Sequence, residues 1–349
     1  MFLFAKTKNG FSLIEILVGL AVFLIISLSI YQAYISLLEA MRASRLRATA
    51  SALANEQFEI IRNLPYTNVG IVGGLPSGKI QQNQTLIRDN IEFTAQTNIR
   101  NIDDPFDGTI GGSPNDLSPA DYKFIELEIS CSLCKNFAPL LFTTYVAPKN
   151  LESASTNGAL FIRVFDANGQ PVQGANVHIE NNLANPSFII DDTTGNNGLL
   201  QIVDAPPGAE AYEITVSKSG YSQEKTYAIG LSENPNPTKP HATVAIQQVT
   251  QVSFAIDKTS TLNIESVTET CSPVSNIDFL LKGSKLIGTS PDVFKYAQNY
   301  ETNSAGLKTI NGLEWDTYDI SFTDGTYALI GAIPLLPLSL GPETEQNLK

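Results

Sequence analysis

Histidine and cysteine are scarce in this chain. His178 and His241 are the two histidines in 349 residues, beside three cysteines. So few imidazole and thiol groups leave little material for transition-metal sites or Cys–His catalysis. Basic charge is also short. Lys plus Arg number 22 against 35 Asp plus Glu, a formal net charge of −13. That balance argues against nucleic-acid binding as the main task. Charged residues make up only 16% and apolar ones 43%, which excludes a disordered polyampholyte and supplies real cores. Gly 24 and Pro 19 are ordinary for a turn-rich β chain and exclude a collagen-like one. Catalytic signatures are missing too. Gly73-Gly74 and Gly111-Gly112 lack the strand–GxGxxG–helix setting of a phosphate loop, and neither G-x-S-x-G nor H-E-x-x-H occurs. His178 lies in a strand pattern and His241 in a linker. The chain reads as a non-enzyme without a resident cofactor.

What is present is a long apolar run near the N-terminus. Phe11 to Leu38 are 28 residues with one charge, Glu15. About 20 apolar residues cross a bilayer as a helix. A secretory signal peptide has an apolar core of about 7–15 residues with its cut site after the run. Here the run is longer, and its polar-to-apolar break, Gly10–Phe11, comes before it. A plain anchor fits the length but gives no reason for Glu15, because a carboxylate within a membrane segment is costly and usually partnered. On a helix Phe11 and Glu15 share a face. A chain cut after Gly10 would carry an ammonium on Phe11, and Glu15 could neutralise that charge on a neighbouring chain. The helix is expected to continue to Leu64, with Leu46, Ala50, Leu53, Ile60, Ile61 and Leu64 at helical spacing. Pro65 ends it, after about 80 Å at 1.5 Å per residue.

The segment KTKNGFSLIEILV, Lys6 to Val18, resembles the cleavage and methylation motif of type IV prepilins and type II secretion pseudopilins. The resemblance implies that a membrane prepilin peptidase and methyltransferase cuts between Gly10 and Phe11 and methylates the Phe11 amine. It implies that Glu15 serves assembly, and that the apolar helix packs with other pilin or pseudopilin subunits at the centre of a filament. Gln32 stands where many major pilins carry a mid-helix proline. Lys6 and Lys8 before the run face Arg42, Arg45 and Arg47 after it, so charge does not set topology. The resemblance implies it: a single pass through the bacterial inner membrane before assembly, the C-terminal domains outside the cytoplasm, and a cell-surface or periplasmic filament afterwards.

Residues 66–148 are expected to form a small sheet over the stem, with strands at Thr85–Ile99, Tyr122–Cys131 and Leu140–Val146. The loop between the first two carries Asp103, Asp104, Asp107, Asp116 and Asp121. These could bind calcium, which takes six to eight oxygens; the alternative is a loop whose Asp and Asn residues make turns. Cys131 and Cys134 lack the second ligand pair of a structural zinc site. In an exported domain they suit a local disulfide. Cys271 is left over, readable as a small buried apolar residue.

The C-terminal half repeats itself. Leu160, Ile162, Pro171 and Val172 recur 102 residues later as Leu262, Ile264, Pro273 and Val274. Gly198 recurs as Gly306, and Tyr212 and Ile214 as Tyr318 and Ile320. Constant offsets point to two copies of one domain. Each copy reads as short strands with turn clusters, a β-sandwich pattern. The order of Gly, Pro and Tyr positions over Gly158 to Tyr227 resembles the carboxypeptidase regulatory-like, transthyretin-like fold, which implies a structural or interaction module. In the second copy Cys271 stands where Gly169 would. The tail around Pro334 and Pro337 is expected to be an edge strand.

The expected fold class is therefore α+β. It has a leader at 1–10, a transmembrane and stem helix at 11–64 and a pilin-like β head at 65–150. Sandwiches follow at 151–248 and 249–349. The function expected is a structural minor pilin or pseudopilin. Two other readings stay open: a pilus-tip adhesin that binds a surface ligand or glycan through the sandwiches, and an unprocessed membrane-anchored surface protein.

Overall fold

The computed structural model describes residues 13–148, 154–322 and 327–349. Helix α1 spans Leu13–Arg62 without interruption. It contains no proline, and Pro65 just beyond it cannot continue the hydrogen-bond ladder. Its buried residues are Ala50, Leu53, Ala54, Phe58 and Ile61, spaced by three or four so that they line one face. Ile60, expected in that stripe, is 51% exposed. Ala54 and Phe58 take its place.

Strands β1 (Asn83–Arg88) and β2 (Ile91–Ile102) form an antiparallel hairpin where the sequence suggested one strand. Asp89 and Asn90 divide it, with φ of 52° and 59°. Two successive left-handed residues make the two-residue turn whose twist suits a hairpin, and Asp and Asn adopt that region more readily than most. With β3 (Tyr122–Ser130) and β4 (Leu140–Val146) they make a sheet of order β1-β2-β3-β4.

The chain divides into two compact units. One holds α1 through Ile61 with Asn83–Gln96 and Leu127–Phe142. The helix stripe and Phe93, Ala95, Leu127, Ile129 and Cys131 are its buried apolar residues. Arg45 pairs with Asp89 at 3.1 Å, and Arg88 pairs with Glu56, tying the helix to the hairpin. These pairs are exposed, so they orient more than they stabilise.

The other unit holds Arg62–Gln82, Thr97–Glu126 and Thr143–Lys349. Its first sandwich contains β5 (Gly158–Phe165), β6 (Asn176–Asn181), β7 (Phe188–Thr193), β8 (Leu199–Ala205), β9 (Gly208–Ser217), β10 (Glu224–Lys225), β11 (Ala242–Val244) and β12 (Val249–Ala255). One sheet runs β10-β9-β6-β7 with β11 also on β9; the other runs β12-β5-β8. Between them lie Leu160, Ile162, Val177, Ile179, Tyr212, Ile214, Phe254 and Ile256. β12 lies past the expected joint at 248/249, yet it pairs in parallel with β5, from Val249 opposite Ala159 to Ala255 opposite Phe165. The first sandwich therefore takes in Phe254 and Ile256.

The second sandwich contains β13 (Ser260–Glu265), β14 (Asp278–Gly283), β15 (Leu286–Gly288), β16 (Val293–Phe294), β17 (Ala297–Glu301), β18 (Leu307–Leu313), β19 (Asp316–Phe322), β20 (Leu338–Leu340) and β21 (Glu345–Leu348). Its sheets run β18-β13-β21 and β17-β14-β19-β20, and β15 pairs with β16. The segment after Pro334 and Pro337 supplies the edge strand β20 beside β19.

The repeated residues hold matching places. Phe165 bridges to Pro171 as Val267 does to Pro273. Gly198 and Gly306 both have positive φ and accept from Val164 and Ser266 through their carbonyls. The hydroxyls of Thr194 and Thr302 accept from Ala175 N–H and Ile277 N–H. Tyr212 and Tyr318 are buried, and each phenol donates to a backbone carbonyl, of Pro206 and Glu314. Cys271, expected to be buried, is exposed. It occupies a turn in which Cys271 N–H reaches Thr268 O as Gly169 N–H reaches Asp166 O. Gly169 adopts φ 76° there and Cys271 φ 60°. The position is selected by backbone conformation, and the side chain points away from the core.

A seam joins the two sandwiches. Thr238 N–H donates to Ile287 O, and Thr289 N–H to Asn236 O. Beside it Lys295 pairs with Glu224 at 2.9 Å and with Glu314 at 2.6 Å, all three side chains largely buried. Lys285 reaches the second oxygen of Glu314 at 2.6 Å. Burial alone would lower the Lys295 ammonium; Glu314 and Glu224 outweigh it and hold it above its ordinary value. A raised ammonium stabilises the fold fully below its unfolded pKa and loses that contribution as pH rises through the folded value.

Two outcomes follow, both read by fluorescence of the single tryptophan, Trp315, during urea unfolding of the full chain in lipid nanodiscs. Lys295→Met removes the ammonium from the buried Glu224 and leaves Glu314 with Lys285 alone, and lowers stability by about 3 kcal/mol. Cys271→Gly relieves a left-handed residue and raises stability by about 1 kcal/mol.

Candidate functional site

Among the described residues, the first half of α1 carries the longest run of exposed apolar side chains. No described residue before Ala50 is buried. Thirteen large apolar side chains between Leu13 and Ile30 are exposed, Leu13 at 79% and Phe23 at 65% among them. An 18-residue window of α1 has a mean hydropathy of 2.7, the length and composition of a membrane span. Each such side chain taken out of water is worth about 1.5–3 kcal/mol. Together they exceed the about 5–15 kcal/mol net stability of a typical folded domain. This surface demands cover from lipid or from other helices. Within the run the Ser29 hydroxyl donates to Ile25 O at 2.8 Å, so its polar atom is satisfied inside the helix, as an apolar medium requires.

Glu15 stands in the first turn of the described helix and is the sole acidic residue there. Gly10 and Phe11, the expected cleavage and methylation positions, lie outside the described residues.

Cys131 and Cys134 follow β3 and are joined by a disulfide, with their Cα atoms 5.4 Å apart. It closes a four-residue turn and constrains little of the unfolded chain.

In the acidic loop the carboxylates cap turns. Asp103 Oδ2 accepts from Ile110 N–H at 2.9 Å, Asp104 Oδ1 from Phe106 N–H at 3.1 Å and Asp116 Oδ1 from Ser118 N–H at 2.8 Å. Asp121 Oδ2 accepts from Asp104 N–H. Asp107 is exposed. The remaining oxygens of Asp103, Asp116 and Asp121 are shut off from solvent without a hydrogen-bond partner. Desolvation, and then the like charges of Asp116, Asp121 and Asp107, push the Asp103 carboxyl above its ordinary value against the pull of the Ile110 N–H. Asp121 is raised in the same way, by burial first. Among the described residues no group of three or more His, Cys, Asp or Glu side chains is arranged to hold a metal ion.

The Lys295 cluster carries no sequence signal. Its partners come from β10 and from the loops before β17 and β19, and only the packing of two sandwiches brings them together. His178 lies on β6 with Nδ1 2.6 Å from Asp191 Oδ1, half exposed. His241 Nδ1 lies 2.9 Å from the Thr226 hydroxyl. Both are structural contacts.

Comparison with known proteins identifies one sequence motif. The prokaryotic N-terminal methylation motif matches residues 5–31. No curated protein sequence matches the chain. Among solved structures the chain is similar to the TIE protein of Bacillus anthracis, at 13% identity and a TM-score of 0.23, over 77% of this chain and 56% of that one. It is similar to the shaft pilin SpaA from Lactobacillus rhamnosus GG, at 11% identity and a TM-score of 0.19, over 55% and 96%. A minor pilin of Streptococcus agalactiae shows 13% identity and a TM-score of 0.23, over 54% and 93%.

The raised carboxyls set a pH dependence. A carboxyl raised in the folded state weakens the fold as pH climbs from the unfolded value through the folded one, so acidification relieves the loop. Asp103→Asn keeps an acceptor for Ile110 N–H and removes the charge. Amide exchange at Ile110, in calcium-free buffer at pH 7, is expected to be slower in Asp103→Asn than in the parent. The difference should shrink towards pH 4. Repeating the measurement with calcium tests the loop as a cation site, which requires slower exchange in the parent and no response in the variant.

Proposed function

We propose that this chain is a pilin-type structural subunit, a minor pilin or pseudopilin that enters a filament through α1. The observation that carries the reading is the coincidence of the methylation motif at 5–31 with a helix that is bare and apolar in its first half and buried under its own unit at its far end. A prepilin peptidase cuts between Gly10 and Phe11 and methylates the new amine. The helix waits in the inner membrane and then exchanges lipid for the helices of neighbouring subunits. Glu15 neutralises the Phe11 ammonium of an adjacent subunit, so neither charge is buried alone. The exchange is driven by packing rather than by chemistry. Two sandwiches outside the stem make the subunit bulky, which suits a rare position in a type IV pilus or a type II secretion pseudopilus.

The test is the mass of the N-terminal peptide from envelope material of the native host. A peptide beginning at methylated Phe11 is expected. One beginning at Met1, in a host with active prepilin peptidase, makes the chain a static anchor instead. Glu15→Ala should leave cleavage intact and reduce recovery in sheared filaments at least tenfold, with the protein retained in the membrane fraction. Equal recovery of parent and variant would remove Glu15 from assembly.

A further inference from the structure

Past the middle of the apolar run, α1 changes composition in a set order. Tyr31 and Tyr34 come first, both exposed. Arg42, Arg45 and Arg47 follow, all exposed, and Glu39 is the single carboxylate between Tyr31 and Arg47. In a chain of net charge −13 this short stretch is positive.

Membrane dimensions give that order a meaning. About 20 helical residues cross the hydrocarbon layer, and a count from Leu13, where α1 begins, ends at Gln32. Tyr31 and Tyr34 therefore flank the depth at which hydrocarbon gives way to headgroups, the depth that tyrosine favours. Arg42 lies eight residues beyond Tyr34, about 12 Å along the axis. Side chains on a helix lean towards its N-terminus. The long arginine stems thus run back towards the span and bring their charges into the headgroup layer. Tyr31 and Arg42 are eleven residues apart, as are Tyr34 and Arg45. Eleven residues are about three full turns, so these four share one face of the helix.

The three arginines are not equivalent. Arg45 is turned to Asp89 of the β1–β2 hairpin, at 3.1 Å. Arg42 and Arg47 have no ion-pair or hydrogen-bond partner among the described residues. They are five residues apart and so lie on different sides of the helix, each with room for its own ligand.

We propose that Arg42 and Arg47 are headgroup sites for anionic phospholipid at this end of the span. Each guanidinium donates two parallel N–H bonds to a lipid phosphate. A zwitterionic lipid presents the same phosphate together with an ammonium that competes for it. An anionic lipid has no such competitor and neutralises the arginine. The tyrosines set the depth of the helix, and the arginines choose the lipid. An acidic face of a neighbouring chain would match the arginines in charge alone, whereas the bilayer that covers the span necessarily brings headgroups to their level. Cleavage at Gly10 plays no part, because the arginines lie at the other end of the span.

The test places the full chain in phosphatidylcholine nanodiscs with a trace of spin-labelled lipid, either phosphatidylglycerol or phosphatidylcholine with the same acyl chains. The motionally restricted fraction of the label reports lipid held at the protein. Lys6→Gln and Lys8→Gln are present throughout, which removes the positive side chains before the span. A preference for phosphatidylglycerol of about fivefold is expected, and added salt should weaken it. Arg42→Gln with Arg47→Gln should bring the preference close to one, with Trp315 fluorescence unchanged. Arg45→Gln, whose guanidinium is already committed to Asp89, should leave it in place. Equal restriction of the two lipids by the parent would overturn the proposal. So would a preference that survives in the Arg42/Arg47 variant or is lost equally in Arg45→Gln. Inorganic phosphate, compared with chloride at equal ionic strength, should leave the restricted fraction unchanged; a selective loss would assign the arginines to free phosphate instead of a headgroup.

Discussion

An apolar helix surface cannot stay in water, and the rest of this chain is arranged around that constraint. From Leu13 to Ile30 the helix shows large apolar side chains on every face and buries none. Past Ala50 the same helix, without a break, presents a single stripe that is buried within its own unit. One rod thus has two solvents. Its lower part is matched to lipid or to other helices, its upper part to a small sheet. The absence of proline keeps the two parts collinear, so whatever moves the lower part carries the upper part with it.

The C-terminal half is built from two copies of one small domain. Each sandwich repeats a limited set of devices: a glycine turn whose carbonyl ends a strand, a buried threonine that accepts a backbone N–H, and a tyrosine whose phenol reaches back to a carbonyl. The join is made rigid by backbone hydrogen bonds at 234–238 and by the Lys295 cluster beside them. A buried lysine between two carboxylates adds little net stability over apolar packing but penalises misalignment severely, since each charge is costly without the others. The cluster therefore acts as a lock on relative orientation.

Much of this was legible in the residues. The apolar run with Glu15 inside it announced the helix and its membrane length, because an apolar stretch of that length is readable without coordinates. The repeat was legible as well, since Tyr212 and Tyr318 or Gly198 and Gly306 are chosen by local conformation and burial. Other features were not. Asp89-Asn90 is masked by the β-rich stretch around it, although two residues that tolerate left-handed backbone are a turn signal. Residue type points Cys271 to a core, whereas its place in the repeat, opposite Gly169, indicates an exposed turn. The boundary between the sandwiches at 248/249 is not legible locally, because β12 returns past it to lie in parallel beside β5.

By itself the sequence determined the elements and their faces: the helix and its length, the alternation of the strands, the duplicated domain and the N-terminal motif. These depend on neighbours within a few residues or on a fixed period, so pattern is enough to reveal them. Tertiary structure alone decided which strands close each sheet and which charges meet at the seam. Glu224, Lys295 and Glu314 lie far apart along the chain, and β12 pairs with residues of β5 ninety positions earlier. Such encounters depend on the whole path of the backbone, which no local window contains.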